Sequence, residues 1–201
     1  MAKQLTIGIQ GGVGSFNEQA LKMYLERQGY QPCDVEIKYL YTTDNVLSEL
    51  KARGVERGQF ATENSLGGPV RETLAARAKY SFEQNYEVLD RYSIPIALCL
   101  MIHPDARTEE VDTIMTHPHV LAQCRATLAL RYPGVALEEG AGDLIDPAKV
   151  GEAIARGLLP RNVATVSNRL IAEARGLKIV GRNLQDREDN FTTFVFVKAR
   201  D

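Results

Sequence analysis

The chain has 201 residues, of which 44% are hydrophobic and 25% charged, and a formal net charge of −2. That balance gives no electrostatic footprint for nucleic acid or an anionic membrane surface. No apolar run approaches the ~20 residues that cross a bilayer, and the first residues lack a signal peptide's apolar core. Cys33, Cys99 and Cys124 are odd in number, far apart and without a Cys-x-x-Cys pair, which argues against a zinc site or disulfide frame and fits a reducing cytoplasm.

In chain order, apolar runs alternate with helical patterns. Residues 5–9 read as a buried strand. A glycine turn leads to a helix over 17–28, with Ala20, Leu21, Tyr24 and Leu25 at helical spacing, Asn17 as cap and Gly29 as stop. A strand at 35–40, a helix at 43–52 carrying Val46, Leu47 and Leu50, a short strand at 59–62 and a helix at 70–78 follow. This order predicts an open, mainly parallel sheet. Residues 87–102 are long and apolar, interrupted at Pro95, and carry the chain into a second set. That set has strands at 113–115, 135–137 and 163–166 and helices at 120–130, 149–156 and 168–175. The last strands, 177–180 and 194–197, return to earlier ones. The pattern predicts two α/β lobes, about 1–84 plus 180–201 and about 85–179, with two crossings and a cleft between them.

Three strand-to-helix loops share one design: Gly11-Gly12-Val13-Gly14-Ser15, Glu63-Asn64-Ser65-Leu66-Gly67-Gly68-Pro69, and Thr116-His117-Pro118-His119. Ligands bind outside the carboxyl ends of strands in open α/β sheets, and helix N-termini there offer unpaired N–H groups to anions. Each loop also reads as an ordinary turn or cap. The first is neither a dinucleotide fingerprint nor a P-loop. His117 and His119 lack a third metal ligand nearby. Cys124 shares an apolar face with Val120, Leu121 and Leu128 and reads as core. At the far end, a charged turn delivers Thr192 and Thr193 to the mouth of the strand at 194–197. Hydroxyls there donate and accept without carrying charge.

Together these segments resemble the catalytic domain of prephenate dehydratase. The matching pieces are Gly11 to Phe16 with Gln19-Ala20, Glu63-Asn64-Ser65 with Gly68, Val70 and Glu72-Thr73-Leu74, His117-Pro118, Leu121-Ala122-Gln123-Cys124, Gly176-Leu177, and Asn183-Leu184-Gln185-Asp186 with Asn190, Thr192 and Phe194. The resemblance implies a fold like the type II periplasmic binding proteins. It also implies conversion of prephenate to phenylpyruvate on the way to phenylalanine, without a cofactor or metal, by a cytoplasmic homodimer that takes a small-molecule substrate and neither nucleic acid nor membrane.

The resemblance assigns catalysis to Thr192, with Glu63, Asn64 and Gln123, and substrate binding to Gly14, Ser15, Ser65, Thr116, Thr193 and Phe194. On this reading Thr192 hydrogen-bonds the leaving hydroxyl, helped by Asn64 and Gln123. Glu63 is either a proton source, if burial raises its pKa, or an orienter of Asn64. Backbone N–H groups near Ser15, Ser65 and Thr116 take the carboxylates. The chain departs from the family pattern at Thr193, where the family has arginine, at Gly142-Asp143, where it has Ser-Thr, at Ala61-Thr62, where it has Pro-Ile, and at Asn168, where it has serine. Arogenate dehydration, decarboxylation without aromatisation, and non-catalytic binding of a small anion therefore stay open. The sequence stops just after the Thr192 motif and shows no ACT regulatory segment.

Overall fold

A computed structural model describes residues 4–200. In chain order the regular elements are β1 (Leu5–Ile9), α1 (Phe16–Arg27), β2 (Val35–Tyr39), α2 (Thr43–Lys51), β3 (Arg57–Asn64), β4 (Gly68–Pro69), α3 (Arg71–Lys79), α4 (Phe82–Asn85) and β5 (Tyr86–Pro95). They continue with β6 (Cys99–Ile102), β7 (Thr113–Thr116), α5 (Pro118–Arg131), β8 (Ala136–Glu139), α6 (Pro147–Ala155), β9 (Val163–Ser167), α7 (Arg169–Arg175), β10 (Lys178–Gly181) and β11 (Phe191–Ala199).

The chain forms two compact units. One takes the chain up to Pro95 and from Asp189 onward, and the other is Ile96–Glu188. The boundary lies eleven residues beyond the one read from sequence because β5 pairs with β11 along its whole length, from Tyr86↔Ala199 to Pro95↔Phe191. The run at 87–102 is thus two strands in two different sheets, separated after Pro95, whose ring cannot donate to a ladder.

In the first unit the sheet runs β2-β1-β3-β11-β5, with β4 added to β3. The pairs among β2, β1 and β3 are parallel, as the alternation of strands and helices requires. β11 inserts antiparallel between β3 and β5, so the sheet is mixed. The second unit repeats the mixture in the order β10-β6-β9-β7-β8, parallel through β9, β7 and β8 and antiparallel at β6 and β10.

Side-chain alternation along β11 assigns its two faces. Phe196 packs on Tyr24 of α1 with ring centroids 4.8 Å apart, so Thr192, Phe194 and Phe196 face α1. Val195 and Val197 join Val46, Leu47 and Leu50 of α2 and Ala76 of α3 in one core cluster, so Thr193 lies on that opposite face. Aromatic pairs such as Tyr24–Phe196 add roughly 0.5–1.5 kcal/mol beyond area burial. In the second unit Cys99 and Met101 of β6 pack with Val150 and Ile154 of α6 and Ile171 of α7. Leu121, Cys124 and Leu128 form the buried stripe of α5, and burial pushes the Cys124 thiol up to about 12. Cys124 is therefore core, as its position among apolar neighbours indicated.

Candidate active site

The carboxyl end of β3 and the entry of β11 meet directly. Asn64 is the cross-strand partner of Thr192, and Glu63 that of Thr193. The Asn64 amide donates from Nδ2 to Thr192 Oγ1 at 3.0 Å, to Asn190 Oδ1 at 2.8 Å and to the Phe191 carbonyl at 3.1 Å. Its Oδ1 accepts the N–H groups of Leu66 and Gly67 at 3.0 and 2.8 Å. That is an Asx turn closing the β3–β4 hairpin, and Gly68 supplies the φ of +70° the turn needs.

Ser65 fastens the same corner. Its N–H donates to the Phe191 carbonyl at 2.8 Å, its Oγ accepts the Phe191 N–H at 2.8 Å, and its hydroxyl donates to the Asp189 carbonyl at 2.7 Å. The hydroxyl expected to bind substrate is thus engaged as donor and acceptor in holding residues 189–191 against β3.

Several expected ligand groups are occupied otherwise. The Gly14 N–H donates to Glu18 Oε2 at 2.5 Å, and the Ser15 hydroxyl caps α1 by accepting the Glu18 N–H at 3.2 Å. The cap of α1 thus lies two residues before the expected one, and Asn17 lies inside the helix. The buried Glu18 carboxylate also pairs with Lys22 at 2.6 Å. Burial pushes the Glu18 carboxyl up, but the Lys22 hydrogen bond and charge, the Gly14 N–H and Tyr39 outweigh it and hold the group below the ordinary carboxylate value. A carboxylate of the protein itself thus sits at this glycine loop. Ser15-x-x-Glu18 is the spacing of a capping box, and that signal identifies Glu18 from sequence.

The start of α2 is similarly met from within. The Thr43 N–H donates to Glu72 Oε1 at 2.6 Å, and Gln10 Nε2 donates to Glu72 Oε2 at 3.0 Å. Helix α3 differs, because Val70 at its N-cap supplies no capping side chain.

Phe194 is 0% exposed, with its ring 6.1 Å from that of Tyr92. It is core rather than a substrate contact. Thr193 hydrogen-bonds Ser93 through the two hydroxyls at 2.9 Å on the face away from Thr192, so the two threonines do not act side by side. Between Thr193 and Phe194 the β3 register slips by one residue, a bulge at Thr62, whose hydroxyl donates to the Thr193 carbonyl at 3.2 Å. Bulges of this kind re-aim the side chains beside them. Glu63 is exposed, so the burial on which a proton-source role depended is missing.

Thr116 and Gln123 belong to the second unit. Thr116 is buried and donates its hydroxyl to the Val166 carbonyl at 2.7 Å, bridging β7 and β9. Gln123 Nε2 donates to the His119 carbonyl one turn earlier on α5, and the main-chain carbonyl of Gln123 accepts the Asp186 N–H at 2.7 Å. Burial, then the neighbouring His119, hold His117 below its ordinary pKa. Among the described residues no group of three His, Cys, Asp or Glu side chains could hold a metal ion, and no helix is long and apolar enough to cross a membrane.

The chain matches the model of the family PDT, prephenate dehydratase, over residues 7–201. It belongs to the prephenate dehydratase family. It is 27% identical over 202 residues to the bifunctional chorismate mutase/prephenate dehydratase of Aquifex aeolicus, an alignment covering 100% of this chain and 51% of that protein. It is 29% identical over 202 residues to arogenate dehydratase 1 of Petunia hybrida, covering 96% and 42%. The chain thus spans about half the length of the curated relatives it matches. Among solved structures, prephenate dehydratase from Arthrobacter aurescens in complex with L-Phe superposes with a TM-score of 0.83 at 24% identity, covering 98% of this chain and 61% of that one. That likeness fixes the fold, which is the periplasmic-binding-protein-like class expected from the resemblance.

Proposed function

We propose that this chain catalyses the decarboxylating dehydration of a cyclohexadienyl acid, prephenate or arogenate, without a cofactor. Family membership supports the reaction class. The observation that carries the reading to residues is the Asn64–Thr192 contact at 3.0 Å, with a neutral hydroxyl and a carboxamide together where β3 ends and β11 begins.

The chemistry needs little more than positioning. The bond from the ring to its carboxylate breaks, and its electron pair enters the ring. The opposite C–O bond then breaks and its pair leaves with hydroxide. Prephenate, a dianion, thus gives the phenylpyruvate monoanion, carbon dioxide and hydroxide, which the carbon dioxide takes up as bicarbonate; arogenate gives phenylalanine by the same two cleavages. Aromatisation drives the step. The protein holds the anion and stabilises charge developing on the departing oxygen, for which holding alone is worth ~7–11 kcal/mol.

Thr192 donates to that oxygen. The first backbone N–H groups of α3, which begin beside the Thr62–Val70 hydrogen bond of 2.9 Å and lack a side-chain cap, take a carboxylate. Ser65 holds the corner through its bonds to Asp189 and Phe191. A homodimer in the cytoplasm belongs to the same reading. Light scattering measures the assembly.

The test is incubation of purified protein with prephenate and, separately, arogenate, with product identification. Phenylpyruvate from the first or phenylalanine from the second is expected. A non-aromatic decarboxylated product, or binding with no product, contradicts the reading.

A further inference from the structure

We propose that Asn64 sets Thr192 as a hydrogen-bond donor toward the substrate, and that Asn190 is the positioning residue that holds Asn64 in that state. The proposal rests on the function proposed above and deepens it, because it fixes the direction of every hydrogen bond in the corner.

Main-chain groups determine which end of the Asn64 carboxamide is which. The N–H groups of Leu66 and Gly67 can only donate, so the atom they meet at 3.0 and 2.8 Å is the oxygen. The Phe191 carbonyl can only accept, so the atom 3.1 Å from it is the nitrogen. Three backbone groups thus orient a side chain whose two ends are otherwise interchangeable. An amide nitrogen has no lone pair to offer, so Thr192 Oγ1, 3.0 Å from it, accepts.

The hydrogen of the Thr192 hydroxyl is consequently not spent on Asn64. Accepting a hydrogen bond polarises a hydroxyl and strengthens the bond it donates in turn. The chain from the Leu66 and Gly67 N–H groups through Asn64 to Thr192 therefore points its donating end at whatever atom with lone pairs lies next to Thr192. In the reaction above, that atom is the departing hydroxyl oxygen.

Asn190 enters through the nitrogen of Asn64. That nitrogen carries two hydrogens and meets three acceptors, of which Asn190 Oδ1 is nearest at 2.8 Å. Asn190 is 1% exposed, at the last position before β11, so its acceptor is held rigidly. By taking a hydrogen in a fixed direction it keeps the carboxamide from turning out of the plane that serves Thr192. It acts on Thr192 through Asn64.

The test reverses the polarity without changing the shape. In Asn64→Asp the carboxylate still accepts the Leu66 and Gly67 N–H groups, but toward Thr192 it can only accept. It therefore draws the threonine hydrogen away from substrate. At neutral pH kcat should fall about a hundredfold, the scale for losing one preorganised donor, with KM nearly unchanged. As the pH is lowered through the titration of the new carboxyl, its protonated form donates again, so the variant should gain activity on an acid limb that the parent lacks. Asn190→Ala should also lose kcat rather than KM. Asn190→Asp, which keeps an accepting oxygen, should recover most of that loss. A merely structural role would produce neither the acid limb nor the rescue.

If the parent turns over and Asn64→Asp keeps its neutral-pH kcat with a flat profile, the polarity is wrong while the functional reading stands. If the parent turns over neither acid, the functional reading fails, and the polarity is read by amide exchange on 15N-labelled protein. Both Asn64 side-chain protons should then be protected, and Asn190→Ala should free one of them. Rapid exchange of both in the parent would overturn the proposal. The same exchange measurement, with the Asn190 pair, decides the matter if Asn64→Asp does not fold.

Discussion

The hydroxyls of Thr192 and Thr193 stand one residue apart in sequence and on opposite faces of a sheet. Thr192 meets Asn64, whereas Thr193 meets Ser93 at 2.9 Å and lies directly across from Glu63. Sequence placed both at the mouth of a strand beginning at 194. The strand begins at Phe191 instead, and the period of two then separates them. The partnership of Asn64 with Thr192 was legible because two polar motifs far apart in the chain matched one family. The burial of Phe194 and Thr116 was not, since it and the Thr116 bond to Val166 depend on tertiary pairing. Restoring the family arginine should therefore build a cross-strand ion pair before it reaches substrate. Thr193→Arg should stabilise the fold by about 0.2–1 kcal/mol through Glu63, and a double-mutant cycle with Glu63→Gln should abolish that gain. Additivity of the two changes would contradict the pairing.

Helix ends are where elements turn into site. The N-termini of α1 and α2 receive the carboxylates of Glu18 and Glu72, whereas α3 starts on Val70 without a side-chain cap. The sequence reading made the glycine loop at 11–15 a cradle for a bound anion; in the structure the Glu18 carboxylate, from the same helix, takes the Gly14 N–H. Glu18→Gln should lower stability by about 1–2 kcal/mol at neutral pH through loss of the charge-assisted contacts to Gly14 and Lys22. The folded-state pKa of Glu18 is depressed, so its contribution is present above the unfolded value of 4.5 and is lost as pH falls through the folded one. Urea midpoints should therefore fall more steeply below pH 4.5 for the parent than for the variant. Parallel curves would show that Glu18 is not held in this way.

At the scale of the whole molecule, one unit is a continuous segment and the other is completed by the last strand. Alternating strands and helices showed two α/β units, but the position of the first boundary was hidden in an apolar run that reads as one element. Only the β5–β11 pairing, from Tyr86↔Ala199 onward, shows that the run is two. Because β11 lies between β3 and β5, ending the chain after Glu188 should abolish exchange protection throughout β3 and β5. The segment Ile96–Glu188 holds its own sheet and core and should keep protection in β6, β7 and β9. Loss of protection in both units together would show one cooperative body instead of two.

Every step from corner to chemistry passes through one hydroxyl, so the most direct measurement is turnover of prephenate and of arogenate by Thr192→Val and Thr192→Ser beside the parent. Valine keeps the shape and removes the donor, and it should cost about a hundredfold or more in kcat while the melting temperature stays close to the parent's. Serine keeps the donor and should retain most of the rate. A valine variant that turns over as fast as the parent would contradict the account.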